Sequence, residues 1–202
     1  MNLERQMENF KNHIATFTDY GNIKILDFKN PDSSHYRIRF LFEEDYCRLH
    51  ISGDLGELIA TNYYNMTFDK FGDFVNDASY FKEKIDCCSR AIYWYDEKTV
   101  REDLAEHIEE YGLLDYMDMY SWKSDEEKLE DTLDDILSDF SDATGIGSRG
   151  YEVLSELDGD AWEWAYDLGK KSTGILDLYM LAFKLAMEQI KERSNNNNET
   201  SI

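Results

Sequence analysis

Hydrophobic and polar residues alternate with a period of two through much of the first third of the chain. This pattern predicts strands at 22–28, 35–42 and 46–52, and the segment 57–64 has the composition of a fourth. The intervening turns are short, and one of them contains Pro31, the chain's only proline. Successive strands joined by short turns predict an antiparallel β-meander.

Helical spacing is found on both sides of these strands. Apolar residues recur every three or four positions in 2–18, which predicts an N-terminal helix with one apolar side formed by Leu3, Met7, Phe10 and Ile14. After Thr67, a candidate N-cap, phenylalanines at similar spacing predict two short helices that extend to about Ile85. The aromatic segment 92–95 fits a strand and a helix equally well.

The second half of the chain is predicted to be helical. One helix begins at Asp96 and runs to about Tyr111, where Gly112 ends it. Residues 151–168 predict two helical pieces that are broken near Asp158-Gly159, and 143–150 (ATGIGSRG) is predicted to be a flexible connector.

Residues 125–142 (DEEKLEDTLDDILSDFSD), preceded by Ser124 as a helix cap, predict the most acidic helix of the chain. An apolar stripe is formed by Leu129, Leu133, Ile136, Leu137 and Phe140. The predicted partner-binding residues are the carboxylates around it: Glu126, Glu127, Glu130, Asp131, Asp134, Asp135, Asp139 and Asp142. In a helix they would follow one another about every 3 Å, close to the ~3.4 Å between phosphates of one DNA strand.

The last predicted helix, 175–193, is apolar on nearly every side, which places it in the core or in the interface of a homodimer. Residues 194–202 are predicted to be a disordered tail. The predicted fold is therefore α+β. It has an antiparallel sheet with short helices in 1–95, and an acidic helical region packed on it in 96–193.

Charge narrows the range of functions. The chain has a net charge of −22, and residues 96–167 contain 24 acidic and 5 basic residues, so the imbalance is concentrated in one region. Such a field repels nucleic acids and anionic membranes and attracts basic proteins. We see no secretion signal and no apolar run long enough to span a membrane, and the three cysteines form no disulfide framework. These features predict a protein of a reducing, host-cell cytoplasm.

Four motifs could indicate a catalytic, metal or nucleotide-binding site, and none of them is specific. Cys47 and His50 are three apart in one predicted strand, so their side chains point to opposite faces and form no catalytic pair. Adjacent Cys87 and Cys88 lack redox-motif spacing. Asp158-Gly159-Asp160 and Asp115-x-x-Asp118 lack the ligand pattern of a calcium loop, and GIGSRG (145–150) follows a helix rather than a strand. We predict no catalytic residue, cofactor or metal site.

A resemblance sharpens the functional hypothesis. The run from His35 to Cys87 resembles proteins of phages and mobile elements in low-GC Gram-positive bacteria. As a whole, the small acidic chain is similar to phage-encoded anti-defence proteins, particularly inhibitors of CRISPR effector nucleases. Several of those inhibitors use an acidic surface to occupy a DNA-binding groove. No functional residue is transferred from this resemblance.

The leading hypothesis is a non-enzymatic inhibitor that binds a basic, nucleic-acid-handling protein by imitating phosphate charge. A CRISPR effector nuclease is the candidate partner. The alternatives are a structural or regulatory protein whose acidity serves solubility, and a hydrolase with a dispersed carboxylate site. Six aromatic residues near the acidic helices suit an interface or a core: Tyr116, Tyr120, Trp122, Trp162, Trp164 and Tyr166.

Overall fold

The structure, a computed structural model, describes residues 3–116 and 123–199. The chain divides into two compact units. The first unit consists of residues 1–92 and 174–202, and the second, residues 93–173, is inserted between its two parts in sequence. The last helix therefore belongs with the sheet. This corrects the predicted boundary, which had grouped residues 96–193 into one acidic helical region.

The first unit is built on a six-stranded antiparallel sheet in which the strands follow one another in sequence order. Its strands are β1 (Ile14–Asp19), β2 (Ile23–Lys29), β3 (Ile38–Glu43), β4 (Arg48–Gly53), β5 (Leu58–Thr61) and β6 (Ile85–Cys88). The predicted meander is thus confirmed and extended by one strand at each edge. Together with the helices, the sheet confirms the α+β class.

Strand alternation places one face of the sheet in the core. Phe28, Ile38 and Gly53 lie side by side in adjacent strands, as do Leu26, Phe40 and Ile51. The apolar members of these rows are almost completely buried, and so is Leu49. Because side chains in a strand alternate in direction, this register directs the polar residues to the opposite face.

Helix α7 (Ile175–Glu199) packs on the core face of this sheet, next to β1 and β2. Its residues Tyr179 and Phe183 are fully or almost fully buried, which confirms the core placement predicted for this helix. The helix continues through residues 194–199, so the tail predicted there is helical as far as Glu199. Residues 200–202 lie outside the described residues.

Two predicted helical segments contain strands instead. Helix α1 (Leu3–Phe10) ends at Phe10, and the continuation predicted to residue 18 is strand β1, which pairs with β2 over six residues. Its β-branched Ile14, Thr16 and Thr18 suit a strand. Between β5 and β6 lie a 3₁₀ turn (Phe71–Phe74), whose N-cap is Lys70 rather than the predicted Thr67, and α2 (Ala78–Lys82), whose N-cap is Asp77. Ile85 begins β6.

The second unit consists mainly of short helices. They are α3 (Glu97–Glu110), α4 (Asp125–Leu137), α5 (Ser148–Leu157) and α6 (Ala161–Trp164), with 3₁₀ turns at Leu113–Tyr116 and Ala165–Asp167. Strands β7 (Tyr93–Tyr95) and β8 (Lys170–Ser172) pair near its two ends, so 93–95 is extended. The break predicted near Asp158-Gly159 is confirmed. Of the helices described in either unit, none is long and apolar enough to cross a membrane.

The candidate acidic interface of the second unit

Helix α4 begins at a capping box. The Ser124 hydroxyl accepts a hydrogen bond from the Glu127 amide, and the Glu127 carboxylate accepts one from the Ser124 amide. These bonds lower the pKa of Glu127, the backbone donor contributing most. Three acidic residues in the first turn also interact favourably with the positive end of the helix dipole.

The apolar stripe of α4 fixes which way the carboxylates face. Leu133, Ile136 and Leu137 are buried in a core shared with α3 and α5. All eight residues predicted to bind a partner are exposed. Six of them lie on the helix, where 100° per residue spreads them over about half of its circumference. The other two follow the end of α4 at Leu137, which corrects the predicted extension of the helix to residue 142.

Asp139 has a structural role that the sequence pattern did not reveal. Its two carboxylate oxygens accept hydrogen bonds from the backbone amides of Arg149, at 2.9 Å, and Gly150, at 3.1 Å. The pKa of Asp139 is lowered, mainly by the Arg149 amide. The segment GIGSRG, predicted to be part of a flexible connector, is thus held at the start of α5 by hydrogen bonds to this carboxylate. Ser141, which precedes this segment, forms an isolated β-bridge with Gly145.

Several of the predicted acids are neutralised inside the unit. Arg101 of α3 donates a 2.9 Å hydrogen bond to Glu130 and pairs closely with Asp134. The Asp134 contact is the main reason that the pKa of Arg101 is raised. Lys123 pairs with Asp131, and that contact chiefly raises the pKa of Lys123. Arg101 thus joins α3 to α4, and sequence reasoning missed it because its partners lie 29 and 33 residues away.

Negative charge remains after these pairings. The second unit contains 24 acidic and 7 basic residues, a net charge of −17, whereas the first unit contains 19 and 14, a net charge of −5. Glu126 and Asp135 on α4 make no ion pair within the described residues. On the neighbouring helices, Glu106, Glu109 and Glu152 are also exposed. The acidic surface therefore covers several helices and is not limited to α4.

Cys47 and His50 make separate local contacts. Cys47 lies in a turn rather than in a strand, with a φ of 47°, and its thiol donates to the carbonyl of Tyr63 at 3.3 Å. His50 lies in β4 and contacts Glu43 at 3.0 Å. Cys87 and Cys88 are free thiols in β6. No cluster of potential metal ligands occurs in residues 3–116 or 123–199.

Asp158, the first residue of the Asp158-Gly159-Asp160 motif, stabilises the α5–α6 junction. Its carboxylate accepts hydrogen bonds from the Asp160 amide at 2.9 Å and from the Trp164 indole at 3.0 Å. The amide is the main cause of its lowered pKa. Trp164 in turn stacks on His107, with ring centroids 3.8 Å apart. This aromatic residue is therefore packed within the unit.

Of the other aromatic residues considered for an interface, Trp162 and Tyr166 are exposed, at 67% and 50%. Tyr120 and Trp122 lie outside the described residues, as does Asp118, and the side chain of Tyr116 is not described.

Comparison with known proteins adds no relative, since no protein-family model, no curated protein and no solved structure matches the chain.

Proposed function

We propose that this protein is a non-enzymatic inhibitor that binds a basic, nucleic-acid-handling protein through the acidic surface of its second unit. The candidate partner is a CRISPR effector nuclease, whose cationic DNA-binding channel the acidic surface would occupy. The observation that supports this proposal is the concentration of charge, −17 in 81 residues, on the exposed sides of packed helices.

The rigidity of these helices supports binding. The capping box fixes the start of α4, Arg101 joins α4 to α3, and Asp139 joins the end of α4 to α5. Exposed carboxylates are thereby presented at defined spacings, as phosphates are along a nucleic acid. Glu126 and Asp135 are separated by about 13 Å along the helix axis, or about four phosphate spacings of one DNA strand.

The crowding of carboxylates on α4 opposes folding. Like charges three or four residues apart on a helix cost a few tenths of a kcal/mol each, and α4 has only Lys128 among its own residues to offset them. A charge needed only for solubility would be distributed over both units. A cationic partner would neutralise the second unit and recover this unfavourable energy on binding.

A matched pair of variants tests the proposal. The acidic variant carries Glu126→Gln, Glu130→Gln, Asp131→Asn and Asp135→Asn, and it retains the Ser124–Glu127 box and the Arg101–Asp134 pair. The control carries the same charge change on exposed residues of the first unit: Asp32→Asn, Glu57→Gln, Asp69→Asn and Asp73→Asn. Each protein is measured for binding to a purified, guide-loaded CRISPR effector nuclease over a salt series, and for inhibition of DNA cleavage.

We expect wild type and control to bind alike. The acidic variant should associate about tenfold more slowly, with a flatter dependence on salt, because electrostatic steering acts on the association rate. Inhibition of cleavage should decline in parallel. Equal association rates and equal salt slopes for the two variants would show that α4 is not the contact surface. A wild-type chain that does not bind the nuclease would exclude this partner.

A further inference from the structure

Four tyrosines are exposed at one end of the sheet of the first unit. They are Tyr20, Tyr46, Tyr63 and Tyr64, with exposures of 69%, 69%, 96% and 67%. In an antiparallel meander the connections that leave β1, β3 and β5 begin at the same end, and the first residues of these connections include the four tyrosines. The sequence did not reveal this cluster, because the predicted strands 46–52 and 57–64 included Tyr46, Tyr63 and Tyr64. We call it the tyrosine end.

The connections that form the tyrosine end are joined to one another by hydrogen bonds. The Glu44 amide donates to the Asn22 carbonyl at 2.7 Å, and the Asn22 side chain donates to Asp45 at 2.9 Å. The Asn62 amide donates to the Cys47 carbonyl at 3.1 Å. Exposed tyrosines on fixed turns are ready for binding, because little conformational entropy is lost when they are buried.

The tyrosine end contains both a projection and a recess. Tyr63 projects almost entirely into solvent, and its backbone is held by the Asn62 side chain, which accepts from the Tyr63 amide at 3.0 Å. Tyr63 also forms one wall of a pocket of about 520 Å³ whose lining includes Tyr46, Cys47 and Lys84. A surface with a projection next to a recess can be complementary to itself under twofold symmetry.

Charge at the tyrosine end favours a second copy over a nucleic acid or a strongly charged partner. Both signs occur there, with Lys70 and Arg48 near the rings of Tyr64 and Tyr46 and with exposed Asp45 and Asp69 nearby. Such a surface can pair its own lysines with its own carboxylates across a twofold axis. The second unit, at −17, repels its copy.

The four tyrosines also supply more than half of the area that a standard interface needs. Fully buried aromatic side chains each cover about 150–250 Å², so four tyrosines at these exposures present roughly 450–750 Å². A standard interface buries about 800 Å² per partner. We infer that the chain forms a twofold homodimer through the tyrosine end, in which Tyr63 of each copy enters the pocket of the other.

The full-length chain, without any partner, is the material for the test, so the result does not depend on the proposed inhibitory function. Sedimentation velocity is measured from about 1 to 100 μM, in about 0.05 M and 0.5 M salt. The test variant is Tyr46→Ser/Tyr63→Ser. The matched control is Tyr111→Ser/Tyr166→Ser, which removes two exposed tyrosines from the second unit. Thermal melts establish that each variant is folded.

We expect wild type and control to sediment as dimers at the higher concentrations. Dimerisation should strengthen with salt, because the repulsion between two chains of −22 is screened. The test variant should raise the dimer dissociation constant about 30-fold or more, the effect typical of lost aromatic anchors.

Three results would overturn the inference. They are a monomeric wild type at every concentration, an unchanged dissociation constant in the test variant, and an equal loss in the control. A monomeric wild type whose nuclease binding is weakened by Tyr46→Ser/Tyr63→Ser would assign the surface to a different protein. Binding of a single-stranded oligonucleotide that is lost in the same variant would assign it to nucleic acid.

Discussion

The two units of this chain are stabilised in different ways. Among the described residues, the first has a core of 24 buried apolar residues that includes nine phenylalanines, whereas the second has a core of 10 without a buried aromatic. The first is nearly balanced in charge, and the second is at −17. The unit with the smaller core therefore accepts the larger electrostatic repulsion, and depends more on caps and ion pairs.

The two units can be followed separately in one experiment. All four tryptophans, at positions 94, 122, 162 and 164, lie in the second unit. Tryptophan fluorescence therefore reports on the second unit, and hydrogen exchange of the sheet amides reports on the first.

The largest effect is expected from Phe71→Ala in the first unit. The Phe71 ring is fully buried and lies 4.8 Å from Phe183, 5.4 Å from Phe81 and 5.6 Å from Phe42, measured between ring centroids. Its loss should lower the free energy of unfolding of the first unit by about 3–5 kcal/mol. Faster exchange of amides in β2–β4 measures this. Phe71→Leu, the control, should cost less because it leaves a smaller cavity. Exchange rates equal to wild type would contradict the assigned centre of the core.

Salt should stabilise the second unit more than the first. Raising ionic strength screens the repulsion among unpaired carboxylates, so the tryptophan-detected melting temperature of the second unit should rise by a few degrees. The first unit should change less. The four-residue acidic variant of α4 should show a smaller rise, since less repulsion remains. A fall with salt would mean that the Arg101 and Lys123 ion pairs outweigh the repulsion.

The sequence predicts part of the structure of each unit. Strands β2–β5 and helix α3 follow from alternation, helical spacing and terminal residues, all of which are local signals. Strand β1 does not. Its first residues continue the spacing of α1 by coincidence, and its conformation depends on pairing with β2 and on Gln189 and Arg193 of α7, which bond the backbone of Ala15. Those partners are more than 170 residues away.

The acidic surface, too, can be predicted from the sequence only in part. Composition identifies the charged region, and the stripe of α4 identifies which residues are exposed. The pairing of Arg101 with Glu130 and Asp134, and the bonds from Arg149 and Gly150 to Asp139, depend on how helices pack. A count of carboxylates therefore overstates the number that remain free to meet a partner.

A moderate effect is expected at the start of α4. Ser124→Ala removes one half of the capping box and should lower the stability of the second unit by about 1 kcal/mol. Ser124→Asp, which retains an acceptor at the N-cap, is the control and should retain most of the stability. Denaturant titration followed by tryptophan fluorescence measures both. If the two substitutions were equally destabilising, the cap hydrogen bond would not be the cause.

The smallest effect concerns pH and again separates the units. His13 in the first unit is 4% exposed, lies against the rings of Phe10 and Phe28, and contacts the Tyr36 carbonyl at 3.2 Å through Nε2. Burial lowers the pKa of His13, although the carbonyls of Tyr36 and His35 partly oppose this. The unfolded chain therefore takes up a proton more readily than the folded one. Stability is complete above the unfolded pKa, about 6.5, and is lost as pH falls below it.

In the second unit the lowered pKa values of Glu127, Asp139 and Asp158 place the corresponding loss near and below pH ~4, where the unfolded carboxyls begin to protonate. Between about pH 7.5 and 5.5, then, the amides around β1 and β2 should lose protection against exchange, measured relative to an unstructured chain at the same pH. The tryptophan-detected stability of the second unit should change less over the same range. His13→Phe, which fits the aromatic surroundings and cannot be protonated, should flatten this dependence. If the wild type and His13→Phe had the same pH profile in this window, the buried imidazole would not be its source, and the difference between the units would have to come from their carboxylates alone.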